Sequence, residues 1–362
     1  MTTDFGDDLL SAVVDPDHRL VEIACDESGA EGEKLIDGNS SVFAHASVQV
    51  SMSIADDCVR EMRDRIRSPA RCYKAGDLAR AKNRTTLIWL LDPSGPVYGR
   101  ALVHLIEKKF FLLIKIVEAF TDVEALTPEA RQHDDQKVTD MACTLYKDGS
   151  HAFGRGRWHS FLECFNDLMR ARTEAEVKVF ADSLFSMIDV LRIARQWGRA
   201  GEVMELLWQS RLSAESFFLD ERRRDSRAIP PLDPLFPAIT RGVTYWSDDR
   251  RPVSVVHDRQ VAITPESVEQ LKVICGKRRP DFPGQPAQNR LAEFNLVESS
   301  ADSRVQLADI LAGIVRGLAA HQLAYRSHPG LDLLLEPYMD PHSIWGDQRS
   351  WSALRPSSAG QP

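Results

Sequence analysis

Alternating apolar runs stand near both ends of this chain, and a long stretch of helical periodicity separates them. Leu20 to Cys25 and Val42 to Val50 read as strands with the turn-rich segment 26–40 between them, and Ala101 to Glu107 reads as a third. Strand texture returns at Val253 to Val256 and at Leu291 to Glu298. From Thr121 to Asp225 apolar residues recur instead at three or four, as in Phe161, Phe165 and Leu168, then Phe180, Leu184, Met187 and Leu191. A sheet drawing strands from both flanks is one discontinuous domain with helices inserted into it, not two domains in tandem.

Further helices are expected over Ala55 to Ile66, over Lys82 to Leu91 with a stop at Asp92-Pro93, over Pro265 to Cys275 and over Ala301 to Tyr325. The Pro-rich stretch Ile229 to Pro237 reads as a connector. The expected fold class is α/β, a sheet flanked by helices with a large all-helical insertion. Its parts are an N-terminal extension (1–19), the first part of the sheet domain (20–120), the insertion and connector (121–237), the second part of the sheet domain (238–330) and a C-terminal tail (331–362). The end of that tail, Ser350 to Pro362, is expected to be poorly ordered.

Composition narrows the classes of function. Lys and Arg number 45 against 53 Asp and Glu, and the net charge of -8 argues against a general basic surface that coats nucleic acid. A local basic groove remains compatible with it. The six cysteines fall singly, with no C-x-x-C pair of the kind that holds structural zinc. The acidic start MTTDFGDDLL lacks the order of a signal peptide, and the greasiest stretch, Phe110 to Val117, is far short of a membrane span. These features predict a cytoplasmic, soluble protein with no membrane association.

Carboxylates gather at the expected strand ends. Asp26-Glu27-Ser28-Gly29 closes the first strand, where a carboxylate is held on rigid backbone at the rim of a sheet. His257-Asp258 closes a later strand, its two side chains on opposite faces, so that only one of them can point into a given site. In the last helix Asp302, Gln306 and Asp309 are spaced by four and three, and Gly313 extends the same stripe. Hard oxygen donors of this kind suit magnesium or manganese, which polarises a phosphodiester and generates an attacking hydroxide. The plainer alternatives are an acidic turn, a surface histidine and the wet side of an amphipathic helix. Two basic patches are candidate contacts for nucleic acid: Arg155-Gly156-Arg157-Trp158-His159, whose indole is placed to stack on a base, and Lys277-Arg278-Arg279. Arg222 to Arg224 is a third such run.

Taken in order, these motifs resemble a bacterial family, the domain of unknown function 3800 family, which is assigned an RNase H-like fold. The resemblance rests on Asp26-Glu27-Ser28-Gly29 at the opening strand, Glu107-Lys108 after a hydrophobic strand, His257-Asp258, Glu298-Ser299, and the closing Gln306-Leu307-Ala308-Asp309. It covers the sheet-forming parts and leaves Thr121 to Pro237 unaddressed. The chain departs from the family pattern at Cys72-Tyr73-Lys74, which lacks an acid, and at Glu298, where the family carries Asp, with Asp302-Ser303 as a competing match.

The resemblance implies an RNase H-like mixed sheet in which Asp26, Asp258 and Asp309 bind magnesium or manganese. Glu27 and Glu298 are then secondary ligands or proton acceptors. Lys108 or Lys74 would steady a scissile phosphate, and Gln306 and His257 would stand near the substrate. The leading expectation is a metal-dependent nuclease acting on DNA or RNA, in defence against phage or mobile elements. A non-catalytic subunit that binds a protein or nucleic acid through its helical insertion is the alternative. A phosphotransferase of the actin-hexokinase type ranks lower, because no second Gly-rich phosphate loop is present.

Overall fold

The computed structural model describes residues 20–67, 75–78, 80–121, 128–194, 198–212, 214, 218, 228–247, 251–276, 290–326 and 330–354. Five strands form one mixed sheet: β1 (Val21–Ser28), β2 (Val42–Val48), β3 (Ala101–Glu107), β4 (Val253–Asp258) and β5 (Leu291–Val297), in the spatial order β3-β2-β1-β4-β5. β1 to β3 pair antiparallel, and β4 and β5 join in parallel to β1. The parallel joins require long crossovers. These are the helical stretch between β3 and β4 and a shorter helical passage between β4 and β5.

The helices in chain order are α1 (Met52–Ile66), α2 (Ala75–Leu78), α3 (Arg84–Leu91), α4 (Lys108–Thr121), α5 (Pro128–Phe153), α6 (Arg155–Arg170), α7 (Glu174–Ala194) and α8 (Arg199–Gln209). They continue with α9 (Leu235–Trp246), α10 (Pro265–Cys275), α11 (Ser303–Leu323), α12 (Asp332–Leu335) and α13 (Gln348–Leu354). Local chemistry sets several ends. Ser51 caps α1 through Ile54 N, and Arg67 in the left-handed region ends it. Thr264 and Ser267 form a reciprocal capping box around Pro265 at the start of α10. The fold is therefore α/β, a five-stranded mixed sheet flanked by helices.

Alternation along each strand divides the buried residues into two layers. Val21, Ile23, Cys25, Phe43, Leu102, Ile106, Val253 and Val255 face a core shared with α4 to α10. Ala24, Ala44, Ala46, Val103, Leu105 and Val256 face α11, with α1, α3, α12 and α13 beyond it. Small residues on both sides bring α11 close to the sheet, since Ala24, Ala44 and Ala46 meet a helix carrying Ala308, Ala312 and Gly313. α11 is covered on most of its circumference, because another layer packs outside it.

Two regions differ from expectation. α9 begins inside the Pro-rich stretch read as a connector; Pro237 falls in its first turn, where a missing N–H costs nothing. The segment read as a C-terminal tail packs against the body: Tyr338, Trp351 and Leu354 are buried, and Met339 and Ile344 bridge to Val103 and Ile106 on β3. That contact covers an otherwise open sheet edge. Residues 355–362 lie outside the described residues.

Candidate active site at the ends of β1 and β4

β1 and β4 are adjacent and parallel, with Cys25 opposite His257, so the register continued by one residue sets Asp26 beside Asp258. Both share parity with Ala24 and Val256 and project to the α11 side. Neighbouring strands lie about 4.8 Å apart, which makes these two carboxylates direct neighbours at the carboxyl ends of parallel strands. Asp26 is 4% exposed, and its Oδ1 accepts from Glu27 N at 2.7 Å. Asp258 is half-buried, and its Oδ1 accepts from Ser299 N at 2.8 Å. The Glu298-Ser299 element thus reaches the site through backbone. The Glu298 side chain is turned to solvent and pairs with Arg259 at 3.0 Å.

α11 runs alongside β1 in the same direction. Arg304 pairs with Glu22 near the start of β1, and Arg316 donates to Ser28 at its end. Asp309 lies on the helix between these two anchors and is half-buried, as is Gln306. Asp302 caps α11 by accepting from Arg304 N. Burial alone would raise its carboxyl, yet the hydrogen bonds and charge of Arg304 hold it below the ordinary value. Gly313 fits between Ser28 and Ala75, where a Cβ would meet Ala75 Cβ at 2.3 Å. The stripe is therefore packed along β1 and is not the wet side of the helix.

Among the described residues, the group of three His, Cys, Asp or Glu ligand atoms within 4.8 Å of one another is Asp37, His159 and Glu163, on the surface where the β1–β2 loop meets α6. Asp26 and Asp258 share a face and an end of the sheet, with Asp309 on the helix over that face, and the three do not close to that spacing as a trio.

The other face of the same strands carries a different chemistry. His257 is fully buried there, which corrects the expectation that it stands near a substrate. Its Nδ1 lies 2.8 Å from the Asp258 carbonyl. A carbonyl only accepts, so Nδ1 carries the proton and Nε2 accepts from His45 Nε2 at 3.2 Å. Burial keeps the ring neutral, dropping its pKa from 6.5 to about 4. Phe294 stacks on it. One strand over from His45, on β3, His104 binds the buried Asp340 carboxylate, as does Arg241 of α9.

Glu27 also points to this face, its Oε2 3.8 Å from His257 Nε2 and without a hydrogen bond. Burial, and then the charges of Asp26 and Asp258, push its carboxyl well above the ordinary value. Alternation along β1 turns it away from the face that carries Asp26 and Asp258.

Two more expectations are corrected by burial and pairing. The Lys108 side chain is 1% exposed and its ammonium is paired with Glu31 of the β1–β2 loop, which removes it from a substrate phosphate. Its neighbour Glu107 accepts from Gly346 N and anchors the C-terminal segment. Trp158 is 2% exposed, stacked between Phe153 and Phe161 over a surface that Gly149 leaves open, so no base can lie on it. Arg157 is exposed at the start of α6, in the layer opposite α11, and donates to Phe153 O. Lys74, Lys277, Arg278 and Arg279 lie outside the described residues, as do Cys72 and Arg222 to Arg224.

Sequence reading missed His45, His104 and Arg316. Arg316 continues the stripe Asp302, Gln306, Asp309, Gly313 by three residues, and that spacing was the available signal. The histidines carry no such signal, since their partners, His257 and Asp340, come from distant parts of the chain. No family model, no curated protein and no solved structure matches this chain.

Proposed function

We propose that this chain is a divalent-metal-dependent phosphodiesterase of RNase H-like fold acting on nucleic acid, in the setting of bacterial defence against phage or mobile elements. One observation carries the reading. The parallel register sets Asp26 beside Asp258 at the carboxyl ends of β1 and β4, on the face covered by the helix that bears Asp309. A first-strand Asp, a later-strand carboxylate and a C-terminal-helix Asp in that relation are what the resemblance to the domain of unknown function 3800 family implies.

The donor set fits magnesium or manganese, being hard carboxylate oxygen throughout. Asp26, Asp258 and Asp309 would hold the ion, and the Glu27 and Ser299 N–H groups fix the first two carboxylates from behind. Bound there, a divalent ion polarises the phosphodiester and supplies a hydroxide-like nucleophile at neutral pH. In the balanced reaction water adds to phosphorus and one P–O ester bond breaks, leaving a phosphate monoester and a hydroxyl. Gln306, three residues before Asp309, stands on the same stripe.

Labelled single- and double-stranded DNA and RNA, incubated with magnesium, manganese or chelator, test this directly. Cleavage is expected with metal and lost in Asp26→Ala. Metal-independent cleavage, or cleavage unchanged in the variant, overturns the mechanism. A second reading is favoured by the exposed apolar residues Val179, Val190 and Ile193 on α7. In it the helices between β3 and β4 dock a protein and the chain is a non-catalytic subunit, for which no cleavage is expected under any metal.

A further inference from the structure

We propose that Arg316 is the phosphate-binding residue of this site, its guanidinium clamping a non-bridging oxygen of a nucleic-acid phosphodiester. The identity of the anion rests on the function proposed above, and the position of Arg316 is independent of it.

Arg316 follows Asp309 and Gly313 at i+7 and i+3 on α11, so it belongs to the stripe that lies along β1. It reaches past the end of that strand, where Nε donates to Ser28 Oγ at 2.9 Å and Nη1 to Ser40 Oγ at 3.2 Å. Both partners are neutral hydroxyls. Two of the five N–H donors of a guanidinium are engaged in this way, and the planar group is thereby oriented with the rest of its donors uncommitted.

Charge pairing sets this arginine apart. Arg304, on the same helix, is answered by Asp302 and Glu22, and Arg241 by Asp340. Lys108, close enough for its ammonium to feel the charge of Arg316, is answered by Glu31. Among the described residues no carboxylate forms an ion pair with Arg316. A half-buried cation held by hydroxyls alone is an anion site in waiting, and its attraction for an anion is stronger there than in open water.

The Asp-Glu-Ser-Gly motif is shaped around it. Gly29 sits at φ 83°, and a Cβ there would lie 2.4 Å from Val42 O and 2.7 Å from Arg316 Cδ. Glycine is required both for the backbone conformation and for the passage of the arginine stem. Ser28 of the same motif supplies one of the two hydroxyls. The opening motif thus brings together a carboxylate, Asp26, and the seat of a cation aimed at phosphate.

Fluorescence anisotropy with a short labelled single strand, in calcium, reads binding apart from turnover. Wild type is expected to bind, and inorganic phosphate to displace the strand. Arg316→Ala should weaken binding by about tenfold or more and lower the slope of log affinity on log salt by about one. Arg316→Lys should fall between the two, because the charge remains and the fork is lost. Arg60→Ala, which removes an exposed charge elsewhere, should leave affinity unchanged. If Arg316→Ala fails to fold, Arg316→Lys and the double variant Ser28→Ala/Ser40→Ala carry the test, each expected to weaken binding. Wild type without affinity for the strand, or Arg316 variants that bind as wild type does, overturns the proposal. The two readings fail separately: Arg316-dependent binding with no cleavage sinks the nuclease and keeps the anion site, whereas Asp26-dependent cleavage with Arg316-independent binding does the reverse.

Discussion

The two faces of one sheet, at the ends of the same two strands, hold opposite kinds of polar chemistry. On the α11 face Asp26 and Asp258 stand side by side, with half-buried Asp309 and Arg316 along the helix above them. On the other face Glu27, His257, His45, His104 and Asp340 are sealed under α9 and its neighbours. One residue of strand alternation separates Asp26 from Glu27 and Asp258 from His257, and that step decides which groups can meet a ligand. The sealed face keeps its groups neutral or paired, as burial requires. The α11 face carries charged groups held by backbone N–H groups and hydroxyls, as Asp26 is by Glu27 N, Asp258 by Ser299 N and Arg316 by Ser28 and Ser40.

The largest expected effect breaks the sealed face. Arg241→Ala leaves the Asp340 carboxylate, 0% exposed, with only His104 and the His342 N–H among the described residues, and should cost about 3–5 kcal/mol in urea unfolding while the folded fraction still binds nucleic acid. A loss of binding with intact stability would show that this face is not merely structural.

Acid should unfold the protein through the same groups. Above the ordinary histidine value of 6.5, His257 is neutral in both states and its titration contributes nothing. Between 6.5 and about 4 the unfolded chain takes up a proton that the folded chain refuses, so stability falls as pH falls, by about 3 kcal/mol in all. Below about 4 the loss is complete. Urea midpoints measured across that window should drop less in His257→Phe than in wild type. An equal drop would place the acid sensitivity elsewhere.

Gly29→Ala sharpens the comparison from the α11 side. A positive φ and a Cβ pressed on Val42 O should cost about 1–3 kcal/mol, and the displaced Arg316 should weaken nucleic-acid binding even in the folded fraction. The smallest effect is expected at Glu298. Its exposed pair with Arg259 should be worth less than about 1 kcal/mol, and Glu298→Ala should cleave as wild type does, because only the Ser299 N–H reaches Asp258. A large loss of cleavage would bring Glu298 into the site.

Strand alternation and helix periodicity were legible wherever a run was long and uninterrupted. Ala101–Glu107 and Pro265–Cys275 were read to the residue. α9 was not read, although LFPAITRGVTYW has apolar residues at helical spacing, because Pro237 and the prolines before it masked the start. The packed segment 330–354 was missed because its elements are too short to show a period and are held by contacts with β3 and α11. The candidate carboxylates were visible from their strand ends, and parity alone set Asp258 and His257 on opposite faces. Which face carries α11 required the tertiary register. Lys108 and Trp158 were misread because what buries them comes from elsewhere in the chain, Glu31 from a loop 77 residues earlier and Gly149 from α5.

The most direct test is calorimetric titration of manganese into the wild-type protein, Asp26→Asn and Asp37→Asn. If the α11 face is the metal-binding face, the heat of the main binding event disappears in Asp26→Asn and persists in Asp37→Asn. Binding that survives Asp26→Asn and vanishes in Asp37→Asn would move the ion to the surface group of Asp37, His159 and Glu163 and contradict the account.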